Sequence, residues 1–191
     1  DGIGQAHTGT GKTAAFVIPI LERIDPEVKR PLAMVLTPTR ELSEQVAAEA
    51  RKLPINHTCR VAGIVGGKSI QRQVDQLRAG AQIVIGTPGR IIDLIGRGSL
   101  DVSMLDFVVL DEADQMLDMG FREELEGILD TTPKERRTHL VSATFPRGIQ
   151  QLAARYQRDA VSIEGTRLGD ANQDIEHEGY LVNARDRYDA L

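Results

Sequence analysis

Along the chain, short apolar runs rich in β-branched residues alternate with segments whose apolar positions recur at three- and four-residue intervals, a pattern of strands separated by amphipathic helices. The first strand is expected at 3–6. A helix then opens at Gly11 and aligns Ala14, Ala15, Ile18 and Leu21. Further strands are expected at 32–37, 60–65, 81–86, 107–110, 138–142 and 161–163, with helices at 41–53, 71–77, 90–95, 121–129 and 148–156. Strands joined by helices call for right-handed crossovers and a sheet covered on both faces, so the fold class is α/β, three layers around a mostly parallel sheet. Around 165–174 the chain turns to Gly, Asn, Asp and Arg, which reads as a linker. The expected organisation is a domain at 1–165, a linker at 166–175 and the opening of a second domain at 176–191. In that last segment a strand at 175–182 precedes Asn183, which is placed to cap a helix aligning Ala184, Tyr188 and Leu191.

Composition narrows the class. At 191 residues and 41% hydrophobic, the chain holds enough apolar side chains for one good core. Its single cysteine, Cys59, excludes an internal disulfide, and no apolar stretch approaches the roughly 20 residues that span a bilayer. The start, Asp1-Gly2-Ile3-Gly4-Gln5, has neither a charged lead nor an apolar signal region, so the expectation is a cut chain of cytoplasmic origin with no membrane partner. A net charge of −5 argues against a protein that coats nucleic acid with a broad basic surface. A narrow basic track is still compatible with it, because Arg40, Lys68, Arg72, Arg78, Arg90 and Arg97 all precede the main acidic segments.

The densest chemistry is Asp111-Glu112-Ala113-Asp114, directly after the apolar run Phe107-Val108-Val109-Leu110. Carboxylates crowded at the mouth of a buried strand raise one another's pKa and are best tolerated beside a cation. Upstream, Ala6-His7-Thr8-Gly9-Thr10-Gly11-Lys12-Thr13 has the form of a phosphate-binding loop, with Ala6 where the first glycine is usual. Thr8, Gly9, Thr10 and Gly11 would turn backbone N–H groups toward phosphate, Lys12 would neutralise it, and the Thr13 hydroxyl would reach a Mg²⁺ shared with Asp111. Glu112 would orient or deprotonate the attacking water. The expected ligands are ATP and Mg²⁺. The bland alternatives are a glycine turn before a helix and an acidic helix N-terminus.

Three further segments follow predicted strands: Pro38-Thr39-Arg40-Glu41-Leu42, Thr87-Pro88-Gly89-Arg90 and Ser142-Ala143-Thr144. With the phosphate loop, the acidic stretch, the Gly66-Gly67 doublet and Gly120-Phe121, they resemble the ordered motif set of DEAD-box RNA helicases over nearly the whole chain. The resemblance implies a RecA-like P-loop NTPase domain, the first of two. It also implies that Pro38, Thr39, Arg40, Gly66, Gly67, Thr87, Pro88, Gly89 and Arg90 line an RNA sugar-phosphate track without reading bases. Ser142 and Thr144 would couple that track to the nucleotide through Asp114. Residue by residue, simpler readings stay open: an ion pair from Arg40 to Glu44, ordinary turns for the glycines, and a cap or turn for Ser142 and Thr144.

Members of that family hydrolyse ATP and separate short RNA duplexes across two α/β domains. The adenine-reading segment is expected before Asp1 and the arginines of the second domain after Leu191. A transition-state arginine is worth about 10³ to 10⁵ in turnover, so the chain alone is expected to bind nucleotide and RNA weakly with little hydrolysis. Two rivals are a P-loop small-molecule kinase, which does not need the Pro-Thr-Arg and Thr-Pro-Gly-Arg loops, and a non-catalytic binding module, which would tolerate loss of Lys12 and Glu112. Cys59, Met34, Met104 and His139 read as core or strand residues, and the scattered histidines suggest no zinc site.

Overall fold

The computed structural model describes residues 1–5, 12–53 and 59–164. The expected linker and second-domain segments, and Ala6 to Gly11 of the phosphate loop, lie outside the described residues. The elements run β1 (Gly2–Gln5), α1 (Lys12–Arg23), β2 (Ala33–Leu36), α2 (Arg40–Lys52), β3 (Val61–Ile64), α3 (Ile70–Arg78) and β4 (Ile83–Gly86). They continue with α4 (Pro88–Gly96), β5 (Phe107–Leu110), α5 (Ala113–Asp118), α6 (Arg122–Thr131), β6 (Arg137–Ser142), α7 (Arg147–Tyr156) and β7 (Val161–Glu164). The strands form one sheet in the order β3-β4-β2-β5-β6-β1-β7, and every described pairing is parallel.

Alternation along the strands builds two cores. Met34, Leu36, Ala62, Ile64, Val84, Val108, Leu110 and Leu140 face the side packed by α3 to α7, whereas Ala33, Val35, Ile83, Ile85, Phe107 and Val109 face α1 and α2. All four residues of β2, β4 and β5 are buried, which is why these strands read as unbroken apolar runs. The outer strand β7 leaves Val161 and Ile163 about two-thirds exposed, at 64% and 65%. Among the described residues no helix is long and apolar enough to cross a membrane.

Four expectations need correction. The expected helical face Ala14, Ala15, Ile18, Leu21 is displaced: α1 buries Phe16, Val17, Ile20 and Leu21, and Ile18 is exposed, because the helix carries apolar residues on more than one side. Met104 is exposed in the loop before β5 instead of contributing to the core. The short helix α5 was not expected. The helices α2 and α4 start earlier than the apolar period suggests, at Arg40 and Pro88, since Thr39 and Thr87 occupy their N-cap positions.

Gly86 sets the spacing at one sheet edge. A Cβ there would lie 2.1 Å from the Ile64 carbonyl oxygen of β3, and that oxygen also accepts the Thr87 N–H at 3.1 Å. Gly86→Ala is therefore expected to cost about 1–3 kcal/mol, read as a lowered urea midpoint. Gly63→Ala, which meets open space, should leave the midpoint nearly unchanged.

Candidate functional site

In an all-parallel sheet the carboxyl ends of the strands form one rim, and the register keeps neighbouring ends level: Leu36 pairs with Gly86 and Leu110, Gly86 with Ile64, Leu110 with Leu140, and Gln5 with Ser142. Strand order then divides the motifs between two halves of this rim. The segments after β3, β4 and β2, expected to hold a phosphodiester chain, are neighbours. The strands β5, β6 and β1, which precede the acidic stretch, the expected coupling segment and the phosphate loop, are neighbours too. The two halves meet where β2 lies against β5, and there the Asp111 N–H donates to the Leu36 carbonyl at 2.9 Å.

Asp111 is 3% exposed, and its Oδ1 is buried with no hydrogen-bond partner among the described residues. The nearest cation is Lys12 at the start of α1, its Nζ 3.9 Å from Asp111 Oδ1, too far for a hydrogen bond. Burial pushes the Asp111 carboxyl up to about 6, opposed by Lys12 and reinforced by Glu112. A buried carboxylate oxygen offset only by one lysine 3.9 Å away is an under-compensated negative site, so its chemistry fits a divalent cation. Mg²⁺ commonly takes only one or two carboxylates and completes its shell with phosphate and water, which matches the single buried carboxylate of Asp111 beside Lys12; Thr13 follows Lys12 in the first turn of α1.

Glu112 adopts left-handed backbone angles, φ 52° and ψ 51°, immediately before α5. A non-glycine residue there costs on the order of 1 kcal/mol and reverses the chain directly after the strand. That reversal brings Asp114 into the first turn of α5, against the end of β6. The Thr144 hydroxyl and N–H donate to Asp114 Oδ2 at 2.8 and 2.9 Å, the Asp114 N–H donates to the Ser142 hydroxyl at 3.2 Å, and that hydroxyl donates to the Thr144 carbonyl at 2.7 Å. Burial alone would raise the Asp114 carboxyl, but these donors hold it below its usual range. Gln5, at the end of β1, joins the cluster by donating from Nε2 to the Ala143 carbonyl at 3.2 Å.

On the other half, the Thr39 hydroxyl accepts from the Leu42 N–H at 3.2 Å, which caps α2 and leaves its own proton to donate outward. Thr87 makes no side-chain cap bond, so its hydroxyl is uncommitted. Pro38 and Pro88 are buried and shape their loops, whereas Arg40, Gly66, Gly67 and Gly89 are exposed. A Cβ on Gly66 or Gly89 would meet nothing within 4 Å, so backbone can approach both positions. Gly67 has φ +73°, and a Cβ there would press on Arg40 Nη1 at 2.9 Å.

Sequence reasoning missed how these loops are tied together. Glu44 receives Lys68 Nζ at 2.7 Å and lies 3.9 Å from Arg40 Nε, while Arg90 Nη1 donates to the Lys68 carbonyl at 3.2 Å. The Lys68 hydrogen bond holds the Glu44 carboxyl below its usual range. The simpler reading of Arg40 as a partner of Glu44 is thus present, but its long distance and high exposure make it weak, and Lys68 is the closer partner. Only the i,i+4 spacing of Arg40 and Glu44 was visible in advance.

Residues 1–152 match the DEAD/DEAH box helicase family. The chain is 44% identical over 182 residues to the RNA helicase CrhR of Synechocystis sp., covering 95% of this chain and 37% of that protein. It is 51% identical over 164 residues to the ATP-dependent RNA helicase DeaD of Mycobacterium tuberculosis, covering 85% of this chain and 29% of that one. Its structure resembles the crystal structure of a DEAD box protein from the hyperthermophile Methanococcus jannaschii with a TM-score of 0.85 and 43% identity, over all of this chain and 51% of that one. The chain thus spans about half or less of the length of these relatives.

Proposed function

The chain belongs to the DEAD/DEAH box helicase family, and from that membership we propose that it is the first RecA-like domain of an ATP-dependent RNA helicase, binding MgATP on one half of its rim and RNA on the other. The observation that carries the nucleotide half is the buried Asp111 Oδ1, 3.9 Å from Lys12 Nζ and without a hydrogen-bond partner among the described residues. Lys12 binds the outer phosphates, Asp111 and Thr13 hold Mg²⁺, and Glu112 orients the attacking water. The metal, when bound, neutralises phosphate charge as it develops. Asp114, with Ser142 and Thr144, forms a hydrogen-bonded bridge between the first turn of α5 and the end of β6 that carries the state of the nucleotide side to the rest of the rim.

RNA is held by Thr39, Arg40, Gly66, Gly67, Thr87, Gly89 and Arg90 through backbone phosphates and 2'-hydroxyls, in loops shaped by Pro38 and Pro88. The parent carries a second RecA-like domain that closes over this rim, and the 191 residues alone bind nucleotide and RNA weakly and turn over little ATP. A cytoplasmic setting accompanies this reading.

Arg90→Ala tests the RNA half. It is expected to weaken RNA binding by about 1–2 kcal/mol, roughly 5- to 30-fold, and equally for uridine and adenine homopolymers in anisotropy titrations. A loss confined to one sequence would sink backbone-only recognition. Phosphorylation of a small metabolite with no affinity for RNA would instead favour a P-loop kinase.

A further inference from the structure

Beside the three RNA loops, between α2 and α3, lies a polar groove of about 580 Å³ lined by Glu44, Arg51, Gly63, Lys68, Arg72 and Gln76 among others. It is absent from the motif set. Its floor is the edge strand β3 and the residue after it, several of whose outward backbone groups are taken by side chains. The Gly63 N–H donates to Gln76 Oε1 at 3.3 Å and the Val65 N–H to Gln73 Oε1 at 3.2 Å. Gln73 Nε2 donates to the Val65 carbonyl at 2.9 Å and Arg51 Nη2 to the Val61 carbonyl at 3.0 Å. A peptide strand has little free edge to pair with here, so β-addition is disfavoured.

The groove's charge points to an anion. Of its cations, Lys68 is matched by Glu44 at 2.7 Å, while Arg51 and Arg72 form no ion pair among the described residues. In a chain of net charge −5 this is a local surplus of two positive charges. The capped N-terminus of the nine-residue helix α3, at Ser69, opens on the same space and adds positive potential. The groove is also continuous with the RNA loops, since Lys68 follows the Gly66-Gly67 turn directly and its carbonyl accepts from Arg90.

We propose that the α2–α3 groove extends the RNA track: single-stranded RNA leaving the Gly66-Gly67 turn passes over Lys68 and sets its next phosphates against Arg72 and then Arg51. The extension rests on the RNA reading of the three loops and adds to it a length requirement. RNA just long enough to fill the loops does not feel Arg72, and longer RNA does.

The test is a length series of labelled uridine homopolymers titrated with the 191-residue protein at several salt concentrations, for wild type, Arg72→Ala, Arg51→Gln and Arg90→Ala. Arg51→Gln keeps an N–H donor for the Val61 carbonyl, and thermal melts check that each variant folds. Arg72→Ala is expected to leave short RNA unaffected and to weaken longer RNA several-fold, with the log–log salt slope falling by about 0.7, one phosphate contact. Arg51→Gln should act the same way but only from a greater length. An Arg72→Ala effect that is equal at all lengths, or absent at all of them, would overturn the groove while leaving the loops intact. Arg90→Ala should weaken every length, and its lack of effect would overturn the loop reading on which the groove depends.

Discussion

Lys12→Ala is expected to reduce binding of MgATP about 100-fold or more while the far-UV spectrum and the cooperative melt persist. The lysine is the cation nearest the buried carboxylate, with its side chain only 12% exposed and its Nζ 3.9 Å from Asp111 Oδ1. A charge-assisted hydrogen bond to phosphate is worth about 1.5–3 kcal/mol, and removing the cation also leaves a buried negative charge against an incoming polyanion. The fold should survive because Lys12 sits at the first position of α1, whose packing rests on Phe16, Val17, Ile20 and Leu21. Titration with a fluorescent ATP analogue measures the loss, and circular dichroism checks the fold. Undiminished nucleotide affinity would rule out phosphate binding at this rim. It would favour a module that uses the fold only for contacts.

Asp111→Asn is expected to do two opposite things. Without nucleotide or metal it should stabilise the protein at neutral pH by on the order of 1–3 kcal/mol, since a buried carboxylate that Lys12 offsets only in part, from 3.9 Å, is replaced by a neutral amide of the same shape. For a chain of this size that corresponds to a rise in Tm of roughly 2–4 °C per kcal/mol. At the same time the variant should lose Mg²⁺-dependent enhancement of nucleotide binding. The wild-type pH dependence follows from the same carboxyl. Its pKa is raised to about 6 in the folded state, above the unfolded value, so the folded state holds the proton more tightly. The stability linked to it is fully present below the unfolded pKa near 4 and is lost as pH rises through about 6. In chelator, the wild type should therefore lose up to about 3 kcal/mol of stability between pH 4 and 7 from this group, and Asp111→Asn should flatten that slope. A variant less stable than wild type at pH 7 would show that the attraction of Lys12 outweighs the cost of burying the carboxylate.

The strands were legible because fully buried parallel strands make continuous apolar runs, as Ala33–Leu36, Ile83–Gly86 and Phe107–Leu110 do. The motif loops were legible because each follows such a run, and a parallel sheet brings all carboxyl ends to one rim. Strand order was not legible. Nothing local places β2 between β4 and β5 or β1 between β6 and β7, and that order is what separates the two halves of the rim. The six-residue helix α5 was missed because it is short and opens beside a left-handed Glu112 among carboxylates. Met104 was misplaced because a single apolar residue in a loop has no period to reveal its exposure. The clasp of Glu44, Lys68 and Arg90 joins α2, the β3–α3 turn and α4, so it exists only after the chain has folded.

The central claim is that one rim holds MgATP and RNA on adjoining halves. Its most direct test is a paired titration of the 191-residue protein with a fluorescent ATP analogue, with and without Mg²⁺, and with labelled uridine and adenine homopolymers. The account predicts nucleotide binding that strengthens with Mg²⁺ and falls about 100-fold or more in Lys12→Ala, together with RNA binding that is indifferent to base identity, weakened roughly 5- to 30-fold in Arg90→Ala and unchanged in Lys12→Ala. Nucleotide affinity undiminished in Lys12→Ala, or RNA affinity undiminished in Arg90→Ala, would contradict it.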